Sequence, residues 1–184
     1  IINYNFNFLY LPLGFIFYLL LTFQGVPATL SVGPTAQVLE QSTEVKTQHI
    51  PLGPVAPMVA IKQLGSNGGG WYGPNSSVPL ENPTPLSNVI EMIAILPIPL
   101  SAVFMVGRFI QRKKLMWMIF GSMLLMSLSS TLLTLWAEKS SLIPNVGWME
   151  GKEVRFGVEA SALWGSLTTQ VNNGSVNMMH DSAS

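Results

Sequence analysis

Hydrophobic positions in this chain fall into long unbroken runs separated by polar stretches rich in Gly, Pro and Ser. The run from about Phe6 to Phe23 places Tyr10 and Tyr18 among Leu, Ile and Phe. Its length is close to the roughly 20 residues that cross the hydrocarbon core of a bilayer as a helix. A second run, from about Leu86 to Gly107, and a third, from about Leu115 to Ala137, reach that length. Pro97 and Pro99 remove backbone donors near the middle of the second, which predicts a static kink there. In the third, Ser127, Thr131 and Thr134 share one helical face, a pattern of close helix packing, and Trp117 and Trp136 mark its ends. The shorter runs Pro57–Leu64 and Val158–Thr169 predict helices that stop short of spanning. Residues from about Gln24 to His49 are polar and predict an exposed loop with a short β-hairpin.

Each short helix is followed by an Asn-Gly turn. The first is Leu64-Gly65-Ser66-Asn67-Gly68-Gly69-Gly70, and the second is Gln170-Val171-Asn172-Asn173-Gly174-Ser175. Glycine clusters mark flexible turns first of all. Irregular backbone at membrane depth is tolerated, however, only where protein buries it or it lines an aqueous path. The same turn at equivalent places between spans therefore favours a pore lining over a plain turn. Rings of backbone carbonyls from convergent loops replace the hydration shell of a monovalent cation without any fixed charge. Glycine permits the positive φ that aims carbonyls in directions other residues resist. Ser66, Asn67, Asn172 and Asn173 add oxygens or brace the loops from behind. The absence of carboxylates inside the loops argues against a tight divalent site. Trp71 and Tyr72, just after the glycines, sit where interfacial anchors belong.

Composition narrows the class. Only 10% of the 184 residues are charged and 48% are hydrophobic, which selects a helical membrane bundle over soluble domains. Nine basic and nine acidic residues cancel, so no global field draws nucleic acid. The chain lacks cysteine, which removes thiolate nucleophiles, disulfides and Cys-ligated metals. Arg108, Arg112, Lys113 and Lys114 crowd the short connection between the second and third runs. By the positive-inside rule that connection is cytoplasmic, and both glycine loops then open to the outer side. The chain opens at Ile1 without methionine and ends at Ser184 in a polar loop turning apolar, the ends expected of an internal fragment.

The remaining polar residues carry weaker signals. Glu91 reads as a solvated residue near a helix N-terminus. Glu150, Lys152, Glu153 and Arg155 read as a solvated or ion-paired loop face, and His180-Asp181 as a polar cap or loop pair. No Gly-Lys-Ser/Thr loop opens a helix and no glycine turn follows a buried strand, so this chain holds no recognisable ATP site.

Longer motifs point to one family. Pro54-Val55-Ala56, Ala60 through Gly70, Asn75-Ser76-Ser77 and Glu81-Asn82-Pro83-Thr84 resemble the potassium-binding A subunit of the Kdp-type potassium-transporting ATPase. Met149 to Glu153, Arg155-Phe156-Gly157, Thr168-Thr169, Gly174-Ser175-Val176 and Met179-His180-Asp181-Ser182 are similar to it as well. The resemblance implies an all-α, polytopic helical membrane protein with re-entrant pore helices, filter loops and potassium-channel-like repeats. On that plan residues 1–24 end one repeat with a span, and 25–56 form an extracytoplasmic loop. Residues 57–85 are pore helix and filter loop, 86–107 a span, 108–114 the basic cytoplasmic loop and 115–137 another span. An extracytoplasmic loop over 138–157 then leads to a second pore helix and filter loop over 158–184. The implied filter residues are Ser66, Asn67 and Gly68, with Asn172, Asn173 and Gly174. Serine at Ser66, where some relatives carry threonine, leaves carbonyl ligation intact.

The implied cargo is the potassium ion. The implied partners are a P-type catalytic ATPase subunit that hydrolyses ATP, small accessory membrane subunits and the lipid bilayer, with no nucleic acid. The implied location is the plasma membrane, which is the inner membrane in a Gram-negative cell. The residues alone leave open an ATP-independent channel or carrier, and a non-conducting assembly subunit whose glycines only permit tight packing.

Overall fold

Proline in the first turn and glycine just past the last set the bounds of helix α1, Leu11–Phe23. Gly25 adopts φ +100° there, a left-handed turn that ends the helix. This computed structural model describes residues 10–39, 46–140 and 149–183. The beginning of the first apolar run at Phe6 and the start of the second long loop at Gly147 and Trp148 lie outside the described residues. Strands β1, Thr35–Gln37, and β2, Thr47–His49, pair antiparallel with Thr35 opposite His49, so the polar loop does carry a hairpin.

Helix α2, Val55–Leu64, lies against α1 and against α3, Pro85–Ala94. Phe17, Leu21 and Val26 meet Val55, Ala56, Val59, Ala60, Leu64 and Ala94 in one apolar cluster. Each large side chain buried there contributes about 1.5–3 kcal/mol. Alanine at residues 56 and 60 brings the α1 and α2 backbones close. The first turn of α3 is held by a capping box. Thr84 Oγ1 accepts the Ser87 amide at 3.0 Å, and Ser87 Oγ accepts the Thr84 amide at 3.0 Å.

The predicted proline kink is a break. Helix α3 ends at Ala94, and α4, Pro97–Phe109, begins two residues after the C-cap Ile95. Together they form an apolar segment of 25 residues, Pro85–Phe109, while α5, Lys113–Lys139, has 27. Both are long and apolar enough to cross a membrane. The basic connection predicted over 108–114 is mostly helical, reduced to a tight turn in which Gln111 takes φ +58°. Phe104 packs between Trp117 and Phe120, with ring centroids 5.7 and 5.3 Å away, and closes the α4–α5 hairpin. Most apolar side chains of α5, including Leu125, Met126, Leu132 and Trp136, face outward. Its hydroxyl face is the exception. Ser127 and Thr131 bond Gln170 of α6, Gly157–Gln170, and Thr131 also meets Ser166 at 3.2 Å. Thr134, expected on that face, bonds its own helix at the Ser130 carbonyl instead.

Removing the α3 cap has a defined cost. Thr84→Ala is expected to lower stability by about 1 kcal/mol, and Thr84→Ser to retain most of it, as read by thermal melting of the purified protein.

Candidate functional site

Helices α2 and α6 both end at a glycine loop, and the structure brings the two loops together. After Leu64 the chain turns back on its own helix. The Ser66 amide donates to the Gln63 carbonyl at 3.0 Å, and the amides of Asn67 and Gly68 both donate to the Lys62 carbonyl at 3.2 Å. Ser66 takes φ +49°, and Gly68 and Gly69 take +75° and +78°. Asn172 in the second loop takes φ +57°. A side chain is tolerated at Ser66 and Asn172 but strained, as expected of left-handed backbone.

The closest approach is between main chains. A Cβ placed on Gly68 would lie 2.2 to 2.4 Å from the N, Cα and carbonyl carbon of Gly174. A Cβ on Gly174 would face the Asn67 carbonyl oxygen at 3.4 Å. Ser66 Oγ donates across the gap to the Val171 carbonyl at 3.0 Å. Ser66, Asn67, Gly68 and Gly174, named from separate parts of the sequence, thus form one locus. Among the described residues, the carbonyls of Ser66, Asn67, Gly68, Asn172 and Gly174 accept no hydrogen bond. The Asn173 carbonyl differs, because it lies 2.8 Å from Thr168 Oγ1. Asn173 therefore braces the loop from behind, and its oxygens are committed to the scaffold. Its Oδ1 also accepts the Ser175 amide at 2.7 Å. The negative ends of two helix dipoles point toward the loops, which favours a cation between them over an anion.

Behind the loops lies a polar interior that sequence reading largely missed. Lys62 and Gln63 are buried, as are Ser76, Glu81 and Glu91. Lys62 Nζ pairs with Glu81 Oε2 and donates to Ser76 Oγ at 3.1 Å. Glu81 Oε1 accepts the Tyr72 amide at 2.7 Å. One ion pair thus fastens the helix before the glycines to the chain just after them. Gly70 makes the room, since a Cβ there would come within 2.6 Å of Glu81 Oε1. The Tyr72 phenol donates to the Pro51 carbonyl at 2.6 Å, while burial and then the Glu81 carboxylate hold its pKa above the ordinary value.

Glu91 is a correction to the sequence reading. It is fully buried rather than solvated, and its Oε2 accepts from Gln63 Nε2 and from Ser76 Oγ, each at 2.7 Å. Lys152 takes the ion-paired of the two alternatives, against Glu138 at 2.8 Å, but the pair is buried rather than on a solvated loop face. Arg155 pairs with Glu153 and donates to the carbonyls of Asn82 at 2.8 Å and Ser77 at 3.1 Å. That contact locks the second glycine unit to the first. His180 sits in a short turn beside the Gly165 carbonyl. The sequence signals for this interior are the Lys and Gln inside an otherwise apolar short helix and the motif residues Ser76, Glu81 and Asn82.

A short helix, a glycine-containing loop with left-handed backbone and a buried polar brace occur twice and meet backbone to backbone, in a helical protein with two helices long and apolar enough to cross a membrane. The sequence matches the family described as potassium-transporting ATPase A subunit over residues 3–184. The chain belongs to that family. It is 48% identical over 177 residues to the potassium-transporting ATPase potassium-binding subunit of Leptospira interrogans, covering 95% of this chain and 31% of the relative. Subunits of the same description from Pseudomonas aeruginosa and Herpetosiphon aurantiacus are 45% and 40% identical. Each alignment covers 95% of this chain, and respectively 31% and 34% of the relative. The chain therefore spans about a third of the length of the curated relatives it matches.

Gly68 and Gly69 of this site and Gly73 beyond it should respond differently. Gly68→Ala is expected to destabilise the paired loops by more than the roughly 1–2 kcal/mol of left-handed strain alone, because backbone blocks its Cβ. Gly69→Ala meets open space and should carry the strain only, and Gly73→Ala should fall within about 0.5 kcal/mol of the parent in thermal melts.

Proposed function

We propose that the chain is the part of a potassium-transporting ATPase subunit that binds and passes the ion, selecting it with backbone carbonyls of the two glycine loops. The observation that carries this reading is the meeting of Gly68 with Gly174, which leaves neighbouring carbonyls without a protein donor. A dehydrated potassium ion needs several oxygens at once, and neutral carbonyls bind it without trapping it. Ser66, Asn67, Gly68, Asn172 and Gly174 line the path, and Asn173 holds its loop in place.

On this reading α2 and α6 are re-entrant pore helices of channel-like repeats. The segments over 57–85 and 158–184 are equivalent pore units, separated by spans over 86–107 and 115–137. The outward-facing apolar surface of α5 suits lipid. The basic turn at 108–114 faces the cytoplasm, both glycine loops face outward, and the protein crosses the plasma membrane several times. Hydrolysis of ATP belongs to a P-type catalytic partner, with small accessory subunits completing the complex. The names of the relatives support the potassium and ATPase assignments. Two loops form only part of a ring, so this segment functions within the full-length subunit.

The test is the potassium dependence of ATP hydrolysis in the assembled complex, with the full-length subunit carrying Gly68→Asp. A fall in apparent potassium affinity of at least about tenfold, or a comparable loss of preference over sodium, is expected with assembly intact. An unchanged potassium curve in a normally assembled complex would return the glycines to packing and overturn the assignment.

A further inference from the structure

Gln63 holds the first loop with its main chain and the second with its side chain. Its carbonyl accepts the Ser66 amide at 3.0 Å. Its side-chain Oε1 accepts from Ser175 Oγ at 2.8 Å and lies 3.4 Å from Asn173 Nδ2. Ser175 and Asn173 flank Gly174, the residue that meets Gly68. The other end of the amide, Nε2, donates to Glu91 Oε2 at 2.7 Å.

Chemistry fixes which way round this amide sits. Glu91 Oε2 is an acceptor, since Ser76 Oγ accepts from Lys62 Nζ and donates its own proton to that oxygen, so the NH2 faces Glu91 and the carbonyl faces the second loop. With an apolar residue at Glu91 the amide would be free to reverse, presenting donors to the Asn173 amide nitrogen. Glu91 also has one oxygen, Oε1, buried without a hydrogen-bond partner. A buried polar oxygen in that condition costs stability, and packing alone would be better served by an apolar group. The other charged groups in the cluster are Lys62 and Glu81, which bond each other.

We infer that Gln63 and Glu91 are positioning residues for ion selection: the carboxylate orients the amide, and the amide sets the place of the second glycine loop relative to the first. This rests on the reading of those loops as the ion path. The two residues touch no ion themselves.

The inference makes an unusual demand on a double variant. Gln63→Glu alone sets two carboxylates against each other, and Glu91→Gln alone removes the group that orients the amide. Exchanging both restores one carboxylate and one amide. The carboxylate on α2 then accepts from Ser175 Oγ and Asn173 Nδ2, while the amide on α3 donates to it.

In the assembled full-length complex, each single variant is expected to weaken the preference for potassium over sodium by about tenfold, the scale of a lost buried bond to a charged group. The double variant is expected to recover to within about threefold of the parent. Ser175→Ala, a milder change, should shift the same preference by about threefold and serves if the single variants do not assemble. A purely structural role would lower yield or melting temperature and leave ion preference alone, which overturns the inference. So does an assembled double variant with the preference of the singles. Gly68→Asp in the same assay separates the two levels. If it shifts the ion dependence while Gln63, Glu91 and Ser175 variants do not, only the positioning role fails; if it too is silent, the ion-path reading fails.

Discussion

Main chains packed as closely as those of Gly68 and Gly174 leave no room for a side chain at Gly68, and the arrangement of this protein turns on that contact. Gly68 lies so close to Gly174 that even a methyl group has no place between them. The contact joins loops more than a hundred positions apart in the sequence. It also fixes how α2 and α6 must end, because each helix has to stop where its loop can reach the other. Left-handed backbone at Ser66, Gly68, Gly69 and Asn172 follows from that geometry. Strain of this kind persists only when the surroundings over-determine it.

The surroundings here are polar, buried and cross-linked. Lys62 with Glu81 ties the start of the first glycine loop to its end, and Gln63 ties that loop to the second. Arg155 reaches the carbonyls of Asn82 and Ser77, and Trp164 Nε1 donates to the Ser175 carbonyl at 2.9 Å. Asn82, Asn88 and Asn177 extend the same web, with Asn88 Oδ1 accepting from both neighbours at 2.8 and 2.9 Å. A hydrogen bond in such an interior is strong and an unmade one is costly, so the web resists small displacements. Placing it behind the loops stiffens backbone in which the carbonyls of Ser66, Asn67, Gly68, Asn172 and Gly174 accept no hydrogen bond among the described residues.

Outside, the distribution is reversed. Along α5 the apolar side chains face outward, and the few hydroxyls that turn inward bond α6. A chain with polar groups inside and Leu, Met and Trp outside is organised for a surrounding that offers no hydrogen bonds. Chains organised for water show the opposite arrangement. The break between α3 and α4 belongs to this design as well. Pro97 and Pro99 give up main-chain donors, and the fold uses the interruption to separate the half of the segment that packs on α2 from the half that pairs with α5.

The sequence by itself determined the helices, the interrupted second run, the hairpin strands and the positions of both glycine turns. These features rest on local physics: the length of apolar runs, the φ of proline, the freedom of glycine. Through repetition and family motifs it also grouped Ser66, Asn67 and Gly68 with Asn172, Asn173 and Gly174. Only the tertiary structure decided that Gly68 lies against Gly174, that the Asn173 carbonyl turns back to Thr168, and that Glu91 and Lys152 are buried rather than solvated. A lone Glu in an apolar run looks the same whether water or Gln63 accompanies it. Its partners come from other helices, and charge burial depends on what packs around a residue rather than on what adjoins it in the chain.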